Sequence, residues 1–167
     1  MNKWSEADLR MQYKSAVTNG WLAFFAAAAA AHGFPVELLL ALASRETNMR
    51  SIKGDMDKDG VYHGFGIMQV DNRTDPAFCA SWTPEQVEGS ITRGAQILAG
   101  NRARLAAKGI ADPRAVAAAY NTGAGNVAKS LAAGENCDHT TTGKDYGTDV
   151  LARMAVFEAI NAPEVTT

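Results

Sequence analysis

The sequence predicts an all-α, mainly helical domain with at most a minimal β-hairpin. Three observations carry that reading. Val36 and Leu38 to Ala43 are apolar on every side behind Pro35, as in a helix buried all round. Helix-start signatures stand at Ser5, Thr83 and Asp112, and apolar residues recur at helical spacing after them. The Ile67 to Val70 stretch, by contrast, reads as one short buried segment beside glycines. At 167 residues, with 47% apolar and 20% charged, the chain can bury a single sizeable core, and disorder is not indicated. A net charge of -2 gives no electrostatic case for nucleic acid.

The elements follow in chain order. Ser5 and Asp8 form a capping box, Trp4 and Leu9 a hydrophobic staple, and Leu9, Tyr13, Ala16 and Val17 continue one helical face. The apolar run Trp21 to Ala31 ends at His32 and Gly33 and is too short for a membrane span, so a buried helix is expected there instead of a signal segment. Pro35 suits the first position of the core helix, which ends at Glu46. Burial and the helix C-terminus would both raise the pKa of that carboxylate, which suits a general acid. The alternative is a solvated helix-end acid. Arg45, one residue away, does not face Glu46 on a helix and is discounted. Gly64 and Gly66 permit close backbone approach to a ligand, and Asp71 stands at the polar edge of the segment that follows.

In the loop 54–63, Asp55, Asp57 and Asp59 before Gly60 reproduce the first half of an EF-hand calcium loop, but its twelfth position is Gly66 where a bidentate Glu belongs. Calcium at residues 55–60 and a solvated acidic loop both remain open. Farther on, Thr83 is read as a helix cap, Pro84 as the first helical residue and Gln86 as the reciprocal partner, with the helix running to near Gly109. Trp82 is read as its staple, with a sugar-stacking platform as the alternative. The Asn72 to Thr74 sequon is treated as incidental. Asp112 and Pro113 start an alanine-rich helix that ends at Tyr120 and Asn121, where glycines turn the chain and present both side chains at a surface. A polar loop 134–143 carries an exposed His139, and the last helix, Asp145 to Ile160, breaks at Pro163 with an Asp149–Arg153 pair on its solvent face. Cys79 and Cys137 form one bridge or stay buried thiols, and two residues do not decide between these.

The blocks ASRET (43–47), HGFGIMQVD (63–71) and AAYNTGAGNV (118–127), in that order, with DYGTDVLARM (145–154) after them, resemble the signature segments of goose-type lysozymes and soluble lytic transglycosylases, glycoside hydrolase family 23. The likeness covers about residues 20–155, leaving residues 1–20 as a helical extension of one domain spanning 1–167. It implies a lysozyme-like domain with a substrate cleft that cleaves the β-1,4 bonds of a polymer of N-acetylhexosamines, peptidoglycan or chitin, outside the cytoplasm and without a required cofactor. On it, Glu46 is the acid and Asp71 the second acidic group, with Asp59, or else Asp57, as a further match. Tyr120 and Asn121 line the cleft, Tyr146 hydrogen-bonds near the acid, and Gln69, Gly66 and Met68 flank the sugar. Asp75 stands near where family members often carry a histidine. Asp71 favours hydrolysis by a held water over attack by the sugar's own 6-hydroxyl, which would give the anhydro product of a transglycosylase. No repeat, linker or low-complexity tail announces a separate wall-binding module, and a proteinaceous inhibitor or immunity protein is a conceivable partner. From other classes, the alternatives are a non-catalytic calcium-responsive glycan-binding module and a structural piercing or scaffold protein.

Overall fold

The computed structural model describes residues 4–54 and 56–162. Its elements are α1 (Glu6–Thr18), α2 (Trp21–His32), α3 (Val36–Thr47), β1 (Gly64–Phe65), β2 (Val70–Asp71), α4 (Pro76–Ser81), α5 (Val87–Ala106), α6 (Pro113–Thr122), α7 (Ala124–Ala132) and α8 (Tyr146–Asn161). α3 runs through the middle. Leu38 to Ser44 are buried without a break, and α3 packs chiefly on α8, while α2 packs on α5 and α6 on α8. Such a helix needs neighbours on every side, and the others supply them with one apolar face each.

α1 opens with the capping box, the Asp8 amide donating to Ser5 Oγ at 3.1 Å and the Ser5 amide to Asp8 Oδ2 at 2.8 Å. Its buried residues are Leu9 and Ala16, two turns apart, whereas Val17, expected on that face, is exposed. α2 is less buried than its composition suggests. Phe25, Ala28 and Ala29 face the core while Ala23, Ala26, Ala27, Ala30 and Ala31 face solvent, because alanine tolerates either side. Gly33 ends α2 in the left-handed conformation that glycine adopts without a Cβ penalty. α2 and α3 are bent by 120°, and among the described residues no single helix is long and apolar enough to cross a membrane.

Pro35 is the N-cap of α3 and not its first helical residue. At α5 the shift is larger. Gln86 accepts from the Thr83 amide at 2.9 Å, half of the expected box, but residues 84–85 form a turn and the helix starts only at Val87. It ends at Ala106, short of Gly109. Trp82 packs edge-on to Phe65, ring centroids 5.9 Å apart, in a small second core with Val70 and Cys79, which makes it structural. The two cysteines are free buried thiols in different cores: Cys79 donates to the Val70 carbonyl at 3.4 Å, and Cys137 lies in the main core.

The Asp149–Arg153 pair forms, at 2.7 Å, but not on a solvent face: Arg153 is 1% exposed. The reason is a network the helical spacing does not reveal. Asp149 also takes Arg45 at 3.1 Å and the Trp4 indole at 2.6 Å, and Arg153 donates to Ser44 at 2.7 Å. Two arginines and two aspartates, Asp145 being the fourth, thus neutralise one another inside the helical layer, as buried charge requires. Pro163 lies outside the described residues.

Candidate active site

Glu46 occupies the last turn of α3, and Tyr146 the first position of α8. The two helices pack on each other, so the Tyr146 hydroxyl donates directly to Glu46 Oε1. Burial pushes the Glu46 carboxyl up from 4.5 to about 7, against the opposing pull of the Tyr146 hydrogen bond and, last, the Arg45 charge. Arg45 matters little here because it is turned away from Glu46, onto Asp145 and Asp149. The phenols of Tyr146 and Tyr120 are themselves held well above their ordinary value, first by burial and then by the negative Glu46 beside them.

Tyr146 owes its place to a cap supplied from a distance. Asp138, 1% exposed, accepts from the Gly147 amide at 2.6 Å and from the Thr148 amide and hydroxyl at 3.1 and 2.8 Å, while Thr141 Oγ1 takes the Tyr146 amide at 3.3 Å. These are the otherwise orphaned donors of the first turn of α8. No local pattern announces this cap: the capping acid lies eight residues before Tyr146, outside the short spacing of a capping box.

A cleft of about 450 Å³ opens beside the acid, lined by Glu46, Tyr146, Gln69, Asn121, Thr142, Arg45, Arg50, Lys53, Ile52 and Gly54. Of the expected sugar contacts, Gln69, Asn121 and Tyr146 therefore reach it. Asn121 accepts from the Thr142 amide at 2.9 Å, which ties the end of α6 to the loop before α8. Gln69 donates to the Ile52 and Gly66 carbonyls at 3.1 and 2.8 Å, and its Oε1 occupies the space that a Cβ on Gly54 or Gly64 would need. Those glycines are thus required by packing as much as by any ligand.

Gly66 and Met68 do not flank the cleft. Both are buried; the Met68 amide donates to Ser90 at 3.2 Å and its carbonyl accepts the Tyr120 hydroxyl at 2.8 Å. Tyr120 accordingly braces the hairpin turn from below, close enough to Glu46 to feel its charge. Asp71 is absent from the cleft lining. It sits in β2, paired in register with Gly64, and its carboxylate is held below the usual range, first by the side chain of Arg73, which grips both oxygens. Asp59 is also outside the cleft, in an exposed turn.

The acidic loop is organised around Asp57. Its Oδ1 accepts the Asp59 and Val61 amides, both at 2.9 Å, and its Oδ2 pairs with His63 Nε2 at 2.9 Å. Both oxygens already have partners within the loop, a poor fit to a calcium ligand, and among the described residues no three His, Cys, Asp or Glu side chains gather as a metal site. Asp55 lies outside the described residues. Sequence reasoning missed Arg50, Lys53 and Thr142; only the cleft brings these scattered polar residues together.

The family model for lysozyme g matches residues 21–160. The chain belongs to the lysozyme g family. Lysozyme g of Epinephelus coioides is 31% identical over 142 residues, covering 77% of this chain and 70% of that protein. In fold, the chain is similar to an inactive mutant of the lytic transglycosylase Slt of Pseudomonas aeruginosa, with a TM-score of 0.60 at 18% identity. That likeness covers 85% of this chain and 24% of the transglycosylase, so this chain spans about a quarter of its length. Family membership makes the protein a glycosidase of the lysozyme type. α1 precedes the matched segment, which begins at the first residue of α2.

Proposed function

We propose that the protein cleaves the β-1,4 bonds between N-acetylmuramic acid and N-acetylglucosamine in peptidoglycan, with Glu46 as general acid. The observation that carries the reading is a carboxyl raised to about 7, hydrogen-bonded by Tyr146 and facing a cleft. Near neutral pH a substantial fraction of Glu46 holds its proton and can pass it to the glycosidic oxygen as the C1–O bond breaks. Water then adds to the oxocarbenium-like sugar from the opposite face and releases its proton to solvent, from which Glu46 is protonated again. The chemistry asks for no cofactor, since proton and nucleophile come from Glu46 and solvent. Arg50 and Lys53 on the cleft wall favour an anionic polymer, peptidoglycan, over neutral chitin. Such a polymer places the site of action outside the cytoplasm.

One observation favours a second reading. Neither Asp71 nor Asp59 lines the cleft, and Arg73 grips Asp71, so a carboxylate-held water lacks its holder in this arrangement. In that case the sugar's 6-hydroxyl attacks C1 and returns its proton to Glu46, giving a 1,6-anhydro end.

Mass spectrometry of digests of peptidoglycan and chitin hexamer, with wild type and Glu46→Gln, separates these. Reducing ends from peptidoglycan, lost in the variant, are the expected result; anhydro ends establish the second reading. Cleavage of chitin alone would change the substrate, and cleavage of neither by wild type would defeat the enzyme reading.

A further inference from the structure

Asp138 holds the first turn of α8 because the cap nearest that turn is occupied elsewhere. Asp145 stands at the N-cap, where aspartate is a preferred acceptor, but its carboxylate is bonded to Arg45 at 3.1 Å and caps nothing. The Asp149 amide has the Asp145 carbonyl at 2.8 Å. The three amides before it, of Tyr146, Gly147 and Thr148, would be orphaned without Thr141 and Asp138. Asp138 is itself fixed in the loop 134–143. Its amide donates to Asn136 Oδ1 at 2.9 Å, and its carbonyl and Oδ1 accept from the Thr141 hydroxyl at 3.0 and 3.3 Å. That loop is tied to the end of α6 as well, through Thr142 on Asn121 at 2.9 Å and Thr140 on Thr122 at 3.2 Å. The turn has no slack toward α6 either, since at Gly147 a Cβ would fall 2.5 Å from the Arg114 carbonyl oxygen.

We propose that Asp138 is a positioning residue for Glu46: by fixing the first turn of α8 it keeps the Tyr146 hydroxyl on the Glu46 carboxyl. Tyr146 is the first residue of that turn and its hydroxyl is bonded to the acid, so a displacement of the turn is carried to Glu46. Hydrogen bonds weaken steeply with misalignment, and a misplacement of about 1 Å costs about a hundredfold in rate. Asp138 has no shorter route to the acid. The groups bearing on the Glu46 carboxyl are Tyr146 and Arg45, with the Tyr120 phenol also beside it. Arg45 grips the same turn by Asp145 and Asp149, but its own charge acts on Glu46. Asp138 is therefore the hold on the turn that can be altered without changing the charge at the acid. Its effect on Glu46 follows from the fold alone, whereas its effect on rate rests on the reading of Glu46 as the general acid.

The test is the titration midpoint of the Glu46 carboxyl, followed by carbon NMR of the isotope-labelled full chain, beside the alkaline limb of kcat/KM on peptidoglycan. Both are measured for wild type, Asp138→Asn, Tyr146→Phe and the double variant. Asparagine keeps the shape and one oxygen but loses the second acceptor and the charge. The midpoint should then rise by about half to one pH unit, toward that of Tyr146→Phe. Because Asp138 acts through Tyr146, the double variant should titrate with Tyr146→Phe and no higher. A midpoint unmoved in Asp138→Asn, or a double variant shifted by the sum of the two, would overturn the proposal, whatever happens to stability. If Asp138→Asn does not fold, Thr148→Val serves in its place. Thr148 is exposed, and this change removes only its 2.8 Å hydroxyl bond to Asp138. A smaller rise is expected there, and no rise overturns the proposal. An NMR midpoint that moves while the limb of kcat/KM stays put would instead defeat Glu46 as the acid and leave its positioning by Asp138 intact.

Discussion

Replacing Tyr146 with phenylalanine removes the hydroxyl from Glu46 and leaves the ring in its buried place. The hydrogen bond favours the ionised carboxylate, so its loss should raise the Glu46 pKa above the present value of about 7. A hydrogen bond to a charged group contributes about 1.5–3 kcal/mol, and one pH unit corresponds to about 1.36 kcal/mol. That gives about one to two units, and the lower figure applies because the protonated acid retains part of the bond in the wild type. The pH profile of kcat/KM reports the free enzyme's acid, and activity requires Glu46 protonated. The alkaline limb of the wild type should therefore fall through about pH 7, and that of Tyr146→Phe about one pH unit higher. Turbidity loss of peptidoglycan suspensions across pH 5–10 measures both, where the range is roughly that over which such a limb is resolved. A limb that stays put or moves down would refute either Glu46 as the titrating acid or Tyr146 as its donor.

Glu46→Gln should stabilise the fold above neutral pH. A raised folded pKa means that the stability associated with the protonated carboxyl is complete below 4.5 and is lost as pH rises through about 7, at a cost approaching about 3 kcal/mol. Denaturant melts at pH 4 and pH 8, roughly half a unit below and one unit above the window, should show a gain only at the higher value; an equal gain at both would contradict it. Gly147→Ala would set a Cβ 2.5 Å from the Arg114 carbonyl, a backbone atom that cannot step aside, so α8 must separate from α6. Thermal unfolding should show a loss of about 1–3 kcal/mol, or several degrees in Tm. Alkylation under denaturing conditions without reductant should modify both Cys79 and Cys137, and a product short by two adducts would mean a bridge.

Much of the helical frame was legible because its causes are local. The Ser5–Asp8 box, the glycine stop at Gly33 and the apolar run Leu38 to Ala43 of α3 all act within a few residues, and each of these elements stands within a residue or two of its expected place. α5 was misplaced at its start because a turn at residues 84–85 uses the same Thr83–Gln86 contact as a helix cap. At the site, Glu46 could be singled out from burial and helix position alone. What escaped was long-range: Arg50 and Lys53 meet Asn121 only in three dimensions, and the surroundings of Arg153 depend on Trp4, Ser44 and Asp149 together. Asp71 stands beside the glycine segment in β2, outside the lining of the Glu46 cleft, with its carboxylate paired to the neighbouring Arg73.

The bond from the Trp4 indole to Asp149 joins the start of the described chain to the helix that carries Tyr146. Asp149 in turn holds Arg45, the neighbour of Glu46, and Arg153, whose guanidinium lies 5.4 Å from the Trp4 ring centre. Trimming the chain to the family-matched length would delete one donor of this set and the aromatic lid over another, leaving a buried aspartate shared between two arginines two contacts from the acid. The leading segment is thus a structural part of the enzyme's interior, and a minimal version designed by matching family boundaries would inherit the signature residues without the arrangement that holds them.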